Sequence, residues 1–369
     1  MKCRWASMTR PAVLALGLVL GPWAAQAQDA GSDAVQDWRQ ANATVGQYPR
    51  GHADVLRWEQ AQPAADPVAA EPAPALVLAT VSEAVRAAWA THRELASVLA
   101  QLDASTQAQM AAGDWGALDV RLVRQRAGVD ELLAVAATAR KYWLTAVAAR
   151  QTQRHLQDAV TAAQAAAELG RRMVAVGNWS RYQHIPLALA ESSAQQALQR
   201  ARLNALQAQW ALLQALQLEA VHESVQVPER LPDMPQPVVD EALFQQRLHA
   251  LQAQLSVVER RKARHLALQA YAAYSASTAV HYSYQQDILP QQALLSEETL
   301  QRYNGMLESV WGLLGNAGAR SQAVVAAIGA QRDALLAETD LQWVLHGGRP
   351  SAFVTLGVSE TGPTAMAGH

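Results

Sequence analysis

The sequence predicts an all-α chain built as two tandem long antiparallel helical hairpins of coiled-coil type. Three observations carry this. Long runs rich in Ala, Leu and Gln, strong helix formers, place their apolar residues three or four apart. Two Phe in 369 residues leave little material for a thick aromatic core. Two glycine-centred stretches interrupt the runs: Arg172-Met173-Val174-Ala175-Val176-Gly177-Asn178-Trp179-Ser180 and Arg302-Tyr303-Asn304-Gly305-Met306-Leu307-Glu308-Ser309. In each, an Arg, an apolar or aromatic residue, a Gly and a Ser follow in the same order, with Gly177 and Gly305 128 positions apart. A duplicated helical hairpin reads this way.

Residues 1–27 read as a secretory signal peptide. Lys2, Arg4 and Arg10 form a basic region, Pro11 to Gly21 an apolar stretch, and Ala25-Gln26-Ala27 a small-residue cleavage site. The only cysteine, Cys3, falls inside this segment. The expected mature chain therefore has no disulfide, thiolate metal site or thiol nucleophile. A formal net charge of −2 offers no electrostatic footprint for nucleic acid. Lys and Arg are scattered among Gln and Glu, the pattern of a solvated surface, and no later stretch reads as a transmembrane helix.

Residues 28–78 form an extended N-terminal arm and Pro-rich linker carrying Pro63, Pro67, Pro72 and Pro74. Within it, Asp54 to Trp58 either docks as one helical turn or stays without structure. The first hairpin repeat, residues 79–220, opens on the capping box Thr80-Val81-Ser82-Glu83. Val85, Trp89, His92, Leu95, Leu99 and Leu102 then share one helical face as far as a break at Gly113-Asp114-Trp115-Gly116. A second helix, expected from about Asp119 to Val176, would span roughly 85 Å and carries Leu132, Ala136, Ala139, Trp143 and Ala146 along one stripe. After the Gly177 bend, Ser180 and Gln183 make another capping box, with Pro186 near the start of the returning helix. That helix bears Leu198, Ala201 and Ala205 on one line and Leu206, Trp210 and Leu213 on the next.

Residues 221–240 are a Pro-rich linker, and residues 241–347 repeat the plan. Leu248, Leu251, Leu255 and Val258 lie on a helix from about Glu241 that runs on past Ala270 without a Gly or Pro break. Pro290 is expected to break or kink it, Val280 to Tyr284 carries a weak strand pattern, and Ser296-Glu297-Glu298 reads as a fresh helix start. The last helix, with Val325, Ile328, Leu335 and Trp343, stops at Gly347-Gly348-Arg349-Pro350, ahead of a flexible tail over residues 348–369.

Catalytic motifs are missing: there is no G-x-S-x-G, P-loop or H-E-x-x-H. His155, His184, His249, His265 and His281 stand alone, with no i, i+4 partner for a helical metal site. Trp89, Trp143, Trp210 and Trp343 read as core packing. Trp179, at a sharp turn, either projects as a partner anchor or folds back over the hairpin's last layer.

With these features in place, the chain resembles the TolC-like outer-membrane efflux proteins over Thr80 to Gly348. Their hairpin tips read approximately Arg-aromatic-x-x-Gly-x-x-Ser, one per repeat. Gly177-Asn178-Trp179-Ser180 has the Gly-to-Ser spacing and Arg302 to Ser309 the Arg-to-Ser spacing. Thr80 to Ala84 looks like the opening of the family's first helix. The resemblance implies a non-enzymatic efflux component without a cofactor, in the outer membrane, assembled as a homotrimer whose helices line a periplasmic tunnel. It also implies docking on a periplasmic adaptor (membrane-fusion) protein fed by an inner-membrane pump. The tip positions Gly177, Asn178, Trp179, Ser180, Gly305, Met306 and Ser309 would face the adaptor. The sequence departs from the family between the first two helices of each repeat, where barrel strands of about ten residues belong. Met110 to Gly116 is too short for one, so little or no β-barrel is expected. The acid usual after the first tip serine is replaced by Gln183, and Tyr303-Asn304-Gly305 shifts the second glycine one place. The alternative reading is a soluble periplasmic helical structural or adaptor protein that forms no pore.

Overall fold

The computed structural model describes residues 75–356. The signal segment, nearly all of the arm and most of the tail lie outside the described residues. Two strands of two residues each, β1 (Leu76–Val77) and β2 (Val225–Gln226), pair in parallel, Leu76 opposite Val225. They are the only strands among the described residues. β2 belongs to the Pro-rich linker, which is therefore packed rather than free, with Val225, Val227, Leu231, Met234 and Val239 buried.

Thr80 caps α1 (Val81–Thr91) with the expected box: its hydroxyl accepts from Glu83 N at 3.2 Å, and Glu83 reaches back to the Thr80 N–H at 3.3 Å. The helix does not continue to Gly113. It stops at His92, passes a 3₁₀ turn (Arg93–Leu95) into the short α2 (Ala96–Ala100), and restarts as α3 (Ala104–Ala112). Asp103 caps α3 by accepting from Thr106 N at 2.9 Å, a start signal that the apolar periodicity masks.

The second helix is likewise shorter than the stripe suggests. α4 (Val120–Gln125) ends, and Gly128 at φ 83° starts α5 (Val129–Ala175), whose 47 residues span about 70 Å. A Cβ at Gly128 would lie 2.7 Å from a Val98 methyl, so the chain turns here at a position that tolerates only glycine. Leu132, Ala136, Ala139, Trp143 and Ala146 are all buried as expected.

α6 (Arg181–Ala215) returns against α5 and closes the first hairpin. Leu198, Ala201, Ala205 and Leu213 are buried, but Leu206 and Trp210 are not: Trp210 is 56% exposed. Two adjacent apolar lines cannot both face one partner helix along their whole length, and of the second line only Leu213, nearest the end of α6, is covered.

In the second repeat, Asp240 caps α7 (Glu241–Gln252). The continuous helix expected past Ala270 is broken at residues 253–255, and α8 (Val257–Ser283) begins on a capping box of Ser256 and Glu259. Val258 is consequently exposed. Residues 280–284 are helical, not extended, and Pro290 does not break the chain. A π turn (Tyr284–Ile288) precedes it and carries the helix directly into α9 (Leu289–Asn304). The wider turn is how a helix commonly absorbs a local mismatch. Ser296 lies inside α9 and bonds the Gln292 carbonyl at 2.8 Å, so it starts no helix. α10 (Val310–Leu345) closes the second hairpin. It ends in a Schellman turn, with Gly347 at φ 93° and the Gly348 N–H on the Trp343 carbonyl at 2.9 Å.

α10 also packs on α5 and α8, joining the hairpins. The core gathers in the half of the bundle away from the bends, from α1, α3, the start of α5 and the end of α10. Trp89, Trp143 and Trp115 are buried there with their indole N–H groups on the carbonyls of Leu132, Leu78 and Met110. The same layer holds a buried ion pair, Arg140 of α5 with Glu338 of α10 at 2.7 Å. Arg140 also donates to the Gly113 carbonyl at 2.8 Å and lies over the Trp115 ring. Burial pushes the Glu338 carboxyl above its usual range, and Arg140 pulls against it.

Candidate functional site: the paired hairpin tips

The two bends are one motif in one register. At the first, the Gly177 N–H bonds the Val174 carbonyl at 3.0 Å and the Asn178 N–H bonds the Met173 carbonyl at 2.9 Å, with Gly177 at φ 79°. At the second, the Met306 N–H bonds the Tyr303 carbonyl at 3.0 Å and the Leu307 N–H bonds the Arg302 carbonyl at 2.8 Å. Both are Schellman turns. The left-handed residue of the second is Met306, at φ 60°, while Gly305 has an ordinary φ of −80°. Matching Gly177 with Gly305 is therefore wrong by one position. Gly177 corresponds to Met306, and each is followed three residues later by the serine that starts the next helix.

Those serines work alike. Ser180 Oγ accepts from Gln183 N at 3.3 Å while Gln183 Oε1 accepts from Ser180 N at 2.8 Å. Ser309 Oγ accepts from Gly312 N at 3.1 Å, and the Glu308 carboxylate takes the Ser309 N–H at 2.9 Å. A neutral amide at one tip and an acid at the other thus satisfy the same orphan donors. Beside the first tip, Glu168 accepts from Arg172 at 2.7 Å and pairs with Arg171. The Arg172 hydrogen bond, ahead of the charge of Arg171, holds the Glu168 carboxyl below its usual value.

The first-repeat aromatic folds inward. Trp179 is half-buried, and its ring meets Trp311 of α10 with centroids 5.5 Å apart and planes tilted by 39°. The helix behind it makes room: a Cβ on Gly170 would stand 2.7 Å from Leu187 Cδ1 and 3.4 Å from the Trp179 ring. The tips therefore sit side by side, bridged by two indoles. The other predicted tip residues, Gly177, Asn178, Ser180, Gly305, Met306 and Ser309, are exposed. Sequence reasoning missed Trp311 and Tyr182. Each stands two residues after a tip serine, a correspondence visible once the register is set by the serines rather than by the glycines. Around the pair, the surface is apolar: Met306 is 94% exposed, Tyr182 83%, and Val176, Ile185 and Leu307 also face outward. Above it, between the hairpins, opens a cleft of ≈ 770 Å³ walled by Leu156, Leu187, Leu313 and Leu314 and by many alanines.

No protein-family model matches the chain, and no curated protein sequence matches it. Its fold is similar to solved membrane proteins. One is a membrane protein from Pseudomonas aeruginosa, at 13% identity and TM-score 0.48, over 64% of this chain and 74% of that one. A second is the Campylobacter jejuni CmeC outer membrane channel, at 12% identity and TM-score 0.42, over 66% of this chain and 68% of the other. A third is the Vibrio cholerae outer membrane protein VceC, at 13% identity and TM-score 0.44, over 63% and 77%. At this level of likeness, what the tips do must be argued from the tips themselves. Among the described residues, no group of three or more His, Cys, Asp or Glu is placed to hold a metal ion, and no helix is long and apolar enough to cross a membrane.

Proposed function

We propose that the chain is a TolC-like, non-enzymatic component of a cell-envelope efflux system whose paired tips dock a periplasmic adaptor. The observation that carries this is the twin Schellman turns. Two turns of identical register, locked side by side through Trp179 and Trp311, present Val176, Tyr182, Met306 and Leu307 to solvent. Exposed apolar side chains clustered on a rigid turn are costly unless a partner covers them, and a preorganised pair of turns gives that partner a fixed geometry. Leu203, Leu206 and Trp210 stand uncovered along α6, which supports helix-to-helix assembly such as the implied homotrimer. An inner-membrane pump completes this reading.

Photo-crosslinking residues at Tyr182 and Met306, with Leu203 as comparison, test it in cells. Adaptor-class products are expected at the tip sites only; an absence of product there, or the same products at Leu203, removes the tips from the mechanism. A second reading, a soluble periplasmic helical protein without a pore, is favoured by the bare breaks between α3 and α4 and between α7 and α8, which carry no strand. Cell fractionation separates the two. A trimer sedimenting with the outer membrane supports the efflux component, and a soluble monomer supports the alternative.

A further inference from the structure

The balanced overall charge hides a local concentration of cations at the end of the bundle away from the tips. There α4, the first turns of α8 and the end of α10 converge on a cavity of ≈ 300 Å³. Arg124, Lys262, His265 and Arg349 line it, with Glu259 as its only carboxylate. That carboxylate caps α8: its Oε2 accepts from the Ser256 N–H at 3.1 Å and the Ser256 hydroxyl at 2.7 Å. These bonds, and after them the charges of Arg124 and Arg349, hold it below its usual range, so one acid stands against three cations. None of Arg124, Lys262 and Arg349 makes an ion pair with a described residue. The geometry holds the cations together. A Cβ on Gly347 would fall 3.2 Å from Arg124 Cδ and 3.3 Å from its Nη1, so the arginine lies across the glycine turn that ends α10. Between residues 256 and 265, Arg260, Arg261, Lys262 and Arg264 face a single acid. Arg260 is pinned at the surface by donating from Nε to the Gln252 and Leu255 carbonyls, both at 2.9 Å. Next to these cations, Val257 and Val258 stand 67% and 66% exposed.

We propose that this end of the bundle is a docking face for an anionic phospholipid surface, with a headgroup phosphate seated among Arg124, Lys262 and Arg349 and the two valines entering the interfacial layer. Clustered Lys and Arg near a bilayer each gain from its negative surface potential, and neighbouring apolar side chains add burial. A soluble polyanion would use the cations but leave Val257 and Val258 in water. The valines therefore favour lipid as the occupant. The inference does not depend on what the tips bind.

The test is flotation of the purified full chain with vesicles of pure phosphatidylcholine and with vesicles in which phosphatidylglycerol replaces a quarter of it. Binding is expected to the anionic vesicles alone and to fall away at about 0.5 M salt, where screening reaches only a few ångströms. Neutralising Arg124→Gln, Lys262→Gln and Arg349→Gln together is expected to weaken binding about a hundredfold, from about fivefold per cation. Val257→Ser with Val258→Ser changes only exposed positions and is expected to weaken it as well. Arg200→Gln on α6 should have no effect. Equal binding to both vesicle types, equal loss with Arg200→Gln, or indifference to the valine change overturns the proposal. So does pocket-dependent heat with inorganic phosphate in calorimetry when vesicles capture nothing, which would make the ligand a free anion.

Discussion

At Met306 an L-residue occupies the backbone region that its counterpart Gly177 fills without cost. A left-handed conformation costs a side-chain-bearing residue about 1–2 kcal/mol, and Met306 adopts it with a side chain almost entirely in solvent. Met306→Gly should therefore stabilise the protein by about 1 kcal/mol, and Gly177→Val should cost a similar amount. Gly305→Ala should be close to neutral, because its φ is ordinary and the nearest atom to a Cβ there lies 3.5 Å away. Urea denaturation of the three variants checks the order. A Gly305→Ala cost matching that of Gly177→Val would return the left-handed position to Gly305. Under the docking role proposed for the tips, the exposed Met306 thioether would be an adaptable contact that glycine cannot offer.

Among the elements, the helix starts decide the architecture. Ser256 and Ser296 look alike in sequence, each followed by acids and apolar residues, and they do opposite things. Ser256 accepts from the Glu259 N–H at 3.4 Å and begins α8, while Ser296 donates back to a carbonyl one turn earlier, as mid-helix serines do. Ser256→Ala should lower stability by about 1 kcal/mol, and Ser296→Ala should change it by a few tenths at most. Equal effects in thermal unfolding would contradict the assigned helix boundaries. The start at Ser256 matters beyond α8, since the break before it aims Arg260 and the two valines outward.

For the whole bundle, α10 packs on α5 to join the repeats, and one fully buried contact between them is polar. Arg140 and Glu338 lie 198 positions apart and are both buried, so losing one partner strands a charge without water. Glu338→Ala should cost about 3–5 kcal/mol, whereas replacing both with apolar residues of similar volume should restore most of that. Chemical unfolding of the single and double variants measures the coupling. If the double variant is as unstable as the single one, the pair does more than compensate for its own burial. Trp179 and Trp311 make a further link between the hairpins, at the far end, where the apolar core is thin.

The all-α class, the two bends and the caps at Thr80 and Ser180 were legible in the chain because each depends on neighbours within one helical turn, and the tandem hairpins were legible because the bend recurs along it. Periodicity and capping are local physics. The buried stripe from Leu132 to Ala146 was legible for the same reason. The breaks at His92 and Leu255 were not, since an apolar stripe continues across them and masks the local start signals at Asp103 and Ser256; at Gly128 the turn depends on a distant contact, Val98. Trp210 was misplaced because a stripe records that a face is apolar, not that a partner covers it. The site divided along the same line. The residues of the two bends could be named from sequence. Only the tertiary structure put Met306 and not Gly305 in the left-handed region, turned Trp179 onto Trp311, and gathered Arg124, Lys262 and Arg349 from three segments into one pocket, because contacts between segments are chosen by which helices pack together and no local pattern encodes that choice.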